Sequence, residues 1–315
     1  MWNRTGRWAV AAIVVATAVA VAPGPIARVR DYVSTSFAMD VRAPHDGTPF
    51  SAWAPSDPPV VRIAAAGDVG TGDRAEQETA DAMAALPGAP FDALLLLGDN
   101  VYPSGDPTRL PDTVFNPFRD VLRPGTALLG VLGNHDVSDG NARGQVHALG
   151  MPGRWYSWRS GPVEVFALDS TVPGNAEQLI WLRTALAQST ARWKIAALHH
   201  PPYSAGWHGS ARGVRAAFEP LFDRYGVQLV LAGHDHDYQR SVPIDGVTYV
   251  VSGAGAKTRP TDRAAFTAVS WSTRHFLDIE VWGDRIEVQA VAHDGLVYDR
   301  FVLREPPSSD KETTR

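Results

Sequence analysis

Five short stretches concentrate the side chains that can hold a cation or move a proton. They are Gly67-Asp68, Gly98-Asp99-Asn100, Gly133-Asn134-His135-Asp136, His199-His200 and Gly233-His234-Asp235-His236. Six of the ten histidines (135, 199, 200, 208, 234 and 236) lie in or near these stretches. Carboxylate, carboxamide and imidazole make an oxygen- and nitrogen-rich donor set, sufficient for two metal ions. Two ions close together need a bridging group, and the Asp99 carboxylate has two oxygens for it. Such a pair serves in-line displacement at phosphorus, activating a water and neutralising the attacking and leaving oxygens. Taken singly, each motif reads as a turn or a satisfied polar residue; the five in one order point to a shared site.

The elements that must position these residues are legible around them. Apolar runs at Val60 to Ala66, Phe91 to Leu97, Ala127 to Leu132, Trp193 to Leu198 and Val227 to Ala232 each stop at one of the five stretches. Runs of this length bounded by glycine predict buried strands. Apolar residues at three- and four-residue spacing predict helices over Arg74 to Leu86, Ala176 to Gln188 and Val214 to Tyr225. The alternation predicts an α/β layer with helices packed outside, and in open α/β sheets ligands bind beyond the carboxyl ends of the strands. After Gly246 the pattern shortens to Thr248 to Ser252, His275 to Trp282, Arg285 to Val291 and Val297 to Leu303. These read as hairpin strands, with turns at Gly283-Asp284 and Asp294-Gly295.

The ends of the chain read differently. Arg4 and Arg7 precede an uncharged, mostly apolar run from Trp8 to Ala22, which ends around a small-x-small pattern at Ala18-Val19-Ala20. This predicts an export signal over residues 1–27, with an uncleaved membrane anchor as the alternative. Residues 28–59 are rich in Pro, Gly and Ser and read as a linker or a segment wrapping the domain surface. The catalytic domain is expected over 60–304, and 305–315 as a disordered polar tail. The 315 residues are 44% hydrophobic and 20% charged with a net charge of −5, which argues against a polyanion binder such as a nucleic-acid protein. Cysteine is absent, so disulfides and thiolate metal sites are excluded.

The series GDVG, GDNVY, GNHD, LHHP and GHDH resembles the calcineurin-like metallophosphoesterase superfamily. Tyr102, three residues after Asp99, and the run GHDHDYQR narrow the resemblance to the short, single-domain purple acid phosphatases. It covers about Val60 to Leu303. The resemblance implies a four-layer α/β/β/α sandwich, two packed mixed sheets with helices outside. It further implies that Asp68, Tyr102 and His236 hold a ferric ion. Asn134, His199 and His234 would hold a divalent zinc, iron or manganese, with Asp99 bridging. His199 is preferred over His200 because the family's ligand stands two residues before the proline.

The resemblance also gives His135 contact with the phosphoryl oxygens, and Asp136 is expected to orient its ring. His208, in the Gly206-Trp207-His208-Gly209 loop, is the candidate proton donor to the leaving oxygen. Asp235 is expected to point into solvent, Arg240 to pack or pair, and Trp207 and Tyr203 to line the substrate side or close the loop. The implied activity is acid phosphatase hydrolysis of small phosphorylated substrates, in an exported protein touching membrane only through an uncleaved anchor. A phosphodiesterase or nucleotidase on the same fold is the nearest rival, with a non-catalytic metal- or phosphate-binding protein behind it. The oligomeric state stays open.

Overall fold

The computed structural model describes residues 50–51 and 57–304. The residues read as an export signal, those read as a tail and most of those read as a linker lie outside the described residues. Among the described residues no helix is long and apolar enough to cross a membrane.

Two seven-stranded mixed sheets face each other. The first contains β1 (Phe50–Ser51), β2 (Val61–Ala66), β3 (Ala93–Leu96), β4 (Ala127–Gly130), β12 (His275–Val281), β13 (Arg285–Ala292) and β14 (Leu296–Arg304), in the order β1-β14-β13-β12-β2-β3-β4. Its β2, β3 and β4 run parallel, and β12 joins β2 antiparallel. The second contains β5 (Tyr156–Ser160), β6 (Val163–Ala167), β7 (Trp193–Ala197), β8 (Leu229–Ala232), β9 (Tyr238–Ser241), β10 (Thr248–Ser252) and β11 (Thr267–Trp271), in the order β11-β9-β10-β8-β7-β6-β5. Here β6, β7, β8 and β10 are parallel.

Alternation along the strands assigns each face. Ile195, Ala197, Leu229 and Leu231 join the core between the sheets with Ile63, Leu95 and Ile279. Their neighbours Ala196, Leu198, Val230 and Ala232 point the other way. There they meet the apolar stripes of α3 (Ala176–Gln188) and α4 (Arg212–Tyr225), through Leu182, Leu186, Val214, Phe218 and Phe222. Met83 and Ala80 of α1 (Arg74–Ala85) pack on the first sheet's side of the larger core. A fourth helix, α2 (Ala142–Ala148), lies in a stretch the periodicity left as loop.

One expectation needs correcting. Thr248 to Ser252 is a strand, but it belongs to the second sheet, parallel to β8, with β9 as its antiparallel neighbour. An alternating pattern fits a hairpin or an α/β strand equally, and chain position alone suggested the hairpin. The strands β12, β13 and β14 do form the expected meander. Within the stretch read as linker, Phe50–Ser51 pairs with Leu296–Val297 on the edge of the first sheet.

Helix α1 begins in a cap that also closes the loop after β2. Asp73 accepts hydrogen bonds from the Ala75 and Glu76 amides, and Glu76 Oε2 accepts from the Gly72 amide at 2.6 Å. Burial pushes the Glu76 carboxyl up to about 9. The folded chain therefore keeps this proton between the unfolded value near 4.5 and about 9, and stability falls as pH rises through that window. Glu76→Gln removes the titration. Unfolding by denaturant at pH 5 and pH 8 should show the wild type losing on the order of 4 kcal/mol more than the variant across that interval.

Candidate metal centre at the strand ends

The carboxyl ends of the two sheets close on each other through glycine. The Gly67 amide donates to the Ser252 carbonyl at 2.8 Å, joining the end of β2 to the end of β10. A Cβ on Gly67 would stand 2.9 Å from that carbonyl oxygen and 3.0 Å from Gly233 Cα, so a side chain there would force the sheets apart. Asp68, Asp99 and His234 each follow a strand-end glycine, and each adopts a left-handed backbone, with φ of 58°, 53° and 72°. That conformation costs about 1 kcal/mol for a residue with a Cβ, and such strain gathers at functional sites. Its effect is to end strand geometry within one residue, at the positions whose own side chains belong to the donor groups.

Two donor groups result. Tyr102 Oη lies 3.0 Å from Asp68 Oδ1 and 3.3 Å from His236 Nε2, which is itself 3.3 Å from Asp68 Oδ1. On the other side His199 Nε2 lies 3.2 Å from Asn134 Oδ1 and 3.5 Å from Asp99 Oδ1. Asp68, Asp99 and His199 bring ligand atoms within 4.8 Å of one another, and so do His199, His200 and His234. Adjacent donors on one ion at about 2.1 Å stand about 3 Å apart, so both groups have the spacing a cation needs. His199 is oriented by the Leu97 carbonyl, 2.8 Å from its Nδ1, which leaves Nε2 facing Asn134. His200 instead meets Ser170 Oγ through Nδ1 at 2.9 Å.

Burial sets the charge state of these groups. It pushes the Asp68 carboxyl up to about 8, with the His199 ring opposing and the Asp99 charge adding. It lifts Tyr102 well above an ordinary phenol, helped by Asp68 and Asp99. The imidazoles move the other way: burial, then Arg259 and Lys257, take His236 down to about 4. Burial and the neighbouring His199 take His200 down to about 3, and His234 falls lower still. A neutral imidazole is the form that binds a metal, and crowded buried carboxylates become favourable once a cation sits among them.

Comparison with known proteins agrees with this chemistry. The profile of the calcineurin-like phosphoesterase family matches residues 61–238, more than half of the chain. The chain belongs to that family. It is a metal-dependent phosphoric ester hydrolase. Tartrate-resistant acid phosphatase type 5 of Oryctolagus cuniculus is 31% identical over 247 residues, covering 64% of this chain and 75% of the relative. A purple acid phosphatase, PPD1 of yellow lupin, superposes with a TM-score of 0.67 at 18% identity, over 81% of this chain and 55% of that one. GAP50, described as the anchor in the inner membrane complex of Plasmodium, superposes with 0.68 at 18% identity, over 78% and 89%. These two structures speak to the fold.

Two side chains of this phosphoesterase depart from expectation. Asp136 does not touch the His135 ring. Its carboxylate accepts from the Asn100, Val101 and Gly133 amides at 2.9 to 3.2 Å and from Asn100 Nδ2 at 2.9 Å, so it fixes the loop that carries Asp99. His135 is held instead by the Pro103 carbonyl, 2.5 Å from Nδ1. Asp235 is fully buried rather than in solvent, accepting from Ser204 Oγ and, at 2.7 Å, from the His208 amide. Both carboxylates face backbone N–H groups, which sequence spacing does not reveal.

The remaining aromatic and basic residues sort plainly. Arg240 forks onto Asp299 at 2.5 and 3.1 Å. Tyr203 packs on Tyr249 and Phe266, closing its loop over the core, while Trp207 is exposed beside Arg259. The sequence reading passed over Lys257 and Arg259. They line the same cleft of about 550 Å³ as Asp99, Tyr102, Asn134, His135, His208, His234 and His236. The signal was present: β10 also ends in a glycine cluster, Gly253-Ala254-Gly255, and the basic residues follow it.

Removing the Asp136 carboxylate would strand three backbone donors and an amide. An unpaired buried donor costs about 1–3 kcal/mol, so Asp136→Ala should lose on the order of 3–5 kcal/mol of stability. Calorimetric unfolding and metal stoichiometry check this, with metal content expected to fall because Asp99 loses its support.

Proposed function

We propose that the cleft hydrolyses phosphate monoesters as a two-metal acid phosphatase of the purple type. The supporting observation is the convergence of two donor groups, spaced 3.0 to 3.5 Å, on either side of the seam with Asp99 contributing to one. Asp68, Tyr102 and His236 would hold a ferric ion. Asn134, His199 and His234 would hold a divalent zinc, iron or manganese, with Asp99 shared. Tyr102 supports the ferric assignment: burial and then the Asp68 and Asp99 charges make its hydroxyl hold its proton more firmly than an ordinary phenol, and a hard, highly charged cation is best suited to displace it. When bound, the pair supplies charge neutralisation at the phosphoryl oxygens and activates water for in-line displacement.

The chain's own residues supply orientation and protons. The Pro103 carbonyl accepts the Nδ1 proton of His135, which fixes the ring and leaves Nε2 on the Asp99 side to meet a phosphoryl oxygen. His208 is the proton donor to the leaving oxygen. Arg259 Nη1 lies 3.0 Å from His208 Nε2, and a guanidinium only donates, so in this arrangement the ring is neutral with its proton on Nδ1; it must take up a second proton, with Arg259 moving off Nε2, before the imidazolium can protonate the leaving oxygen. The His208 ring lies against His234, centroids 4.3 Å apart, and Asp235 holds its backbone. Small phosphorylated molecules are the substrates, and the run from Trp8 to Ala22 is read as an export signal.

Metal analysis with a visible spectrum and p-nitrophenyl phosphate turnover tests the reading together. Two metal ions per chain, one of them iron, and an absorption band lost in Tyr102→Phe are expected. Asp99→Ala should lower kcat at least a thousandfold. A colourless protein with two divalent ions that turns over bis-p-nitrophenyl phosphate faster than the monoester would make it a diesterase instead.

A further inference from the structure

Lys257 and Arg259 stand on the loop after β10, and that loop is pinned to the metal-site backbone. The Gly255 amide donates to the Gly67 carbonyl at 3.0 Å, and the Arg259 amide donates to the His236 carbonyl at 2.8 Å. Gly255 must lack a side chain, since a Cβ would meet Val69 at 2.5 Å and the Gly67 carbonyl at 2.7 Å. The two cations are thus carried at a fixed place over the cleft. Lys257 Nζ lies 3.5 Å above the Tyr102 ring, on the Asp68 and His236 side. The Arg259 side chain donates to His208 Nε2 and lies 5.8 Å from the centroid of exposed Trp207.

Among the described residues neither cation has a carboxylate within ion-pair distance. Arg259 is half-buried, where a guanidinium ordinarily finds an anionic partner, because removing it partly from water is costly unless charge is matched. Lys257 and Thr258 are exposed at the cleft mouth. The oxygen donors on the floor are those read above as metal-binding, so they would not also neutralise the rim. The rim therefore offers two positive charges without a close ion-pair partner, Lys257 sensing Asp73 only at longer range, to whatever part of the substrate extends outward from the phosphoryl group. Because Arg259 borders His208, that part is the leaving group.

We propose that Lys257 and Arg259 select substrates whose leaving group carries a second anionic group, a carboxylate or a further phosphate. This rests on the reading of the cleft as a phosphate monoesterase site with His208 on the leaving side. A guanidinium binds either anion in a two-pronged manner, and the lysine adds a second, less directional charge. Selectivity enters through binding of the leaving group, so it appears mainly in KM.

Matched substrates test the proposal: glycerol 3-phosphate and 3-phosphoglycerate share a skeleton and differ by a carboxylate in place of a hydroxymethyl group. The metal-loaded protein should favour 3-phosphoglycerate by about tenfold in kcat/KM, through KM, and raising the ionic strength should narrow the ratio. Arg259→Ala and Lys257→Ala should each bring the ratio down, the double variant should bring it close to one, and Arg259→Lys should keep part of it. Thermal unfolding confirms that each variant is folded. A wild-type ratio near one, or an equal fall on both substrates, would overturn the proposal and place the cations on the transferred phosphoryl group or in structure alone. Absence of turnover on both substrates and on p-nitrophenyl phosphate by the metal-loaded wild type would instead overturn the monoesterase reading beneath it.

Discussion

Two carboxylates buried side by side are the constraint from which the rest of the architecture follows. Asp68 is fully buried and Asp99 is 2% exposed, and a lone buried anion costs several kcal/mol. Backbone amides meet part of that cost: the His234 amide donates to Asp68 at 2.7 Å and the His135 amide to Asp99 at 3.0 Å. The remaining oxygen capacity of Asp68 faces the Tyr102 phenol and the His236 imidazole, both of which burial biases toward the neutral form, and that of Asp99 faces the rings of His199 and His135. Such an arrangement is poorly matched as a hydrogen-bonded core and well matched as a cation cradle. The strained left-handed turns at Asp68, Asp99 and His234 are tolerable because the closed sheet ends over-determine them.

Around that centre the supporting polar groups work through the backbone. Asp136 gathers the amides of the Asp99 loop, Ser170 accepts from the amides of His199 and His200, and Asp235 holds the loop of His208. Gly206 lets that loop approach closely, since a Cβ there would sit 2.7 Å from both Asp235 and Asp237. Gln239 extends the same network to Ser204 and Asp237. Each side chain thereby positions a segment rather than a single functional atom, and an error in one would displace several donors together.

What the sequence made legible follows from this division. Strand ends carrying Gly-Asp or Gly-His announce themselves, because a long apolar run stopping at glycine and an ionisable residue has few other uses. Helix α3 spans the predicted Ala176 to Gln188, and α1 falls one residue short of its expected end, since three- and four-residue periodicity is a local property. The strands β5, β6, β9 and β11 escaped notice. Tyr156–Ser160 alternates polar residues at an edge, and Tyr238–Ser241 is hidden inside a motif read for its histidines. Asp136 and Asp235 were misread for a related reason. Their partners are backbone amides brought close by tertiary folding, and no spacing rule reports that. Lys257 and Arg259 follow β10, whose alternation fits a hairpin strand as well as a parallel one, so the pattern alone does not mark the loop after it as part of the site.

The Gly67 to Ser252 closure has one more consequence, for how such a chain can change over generations. It ties the cation cradle to main-chain contacts of strand ends, whereas the cleft's outer wall rests on loops fastened at a few amides. Substitutions at exposed Lys257, Thr258 or Trp207 leave every contact of the closure in place. A change in those exposed side chains therefore alters the cleft mouth without disturbing the main-chain contacts that fix the cation cradle.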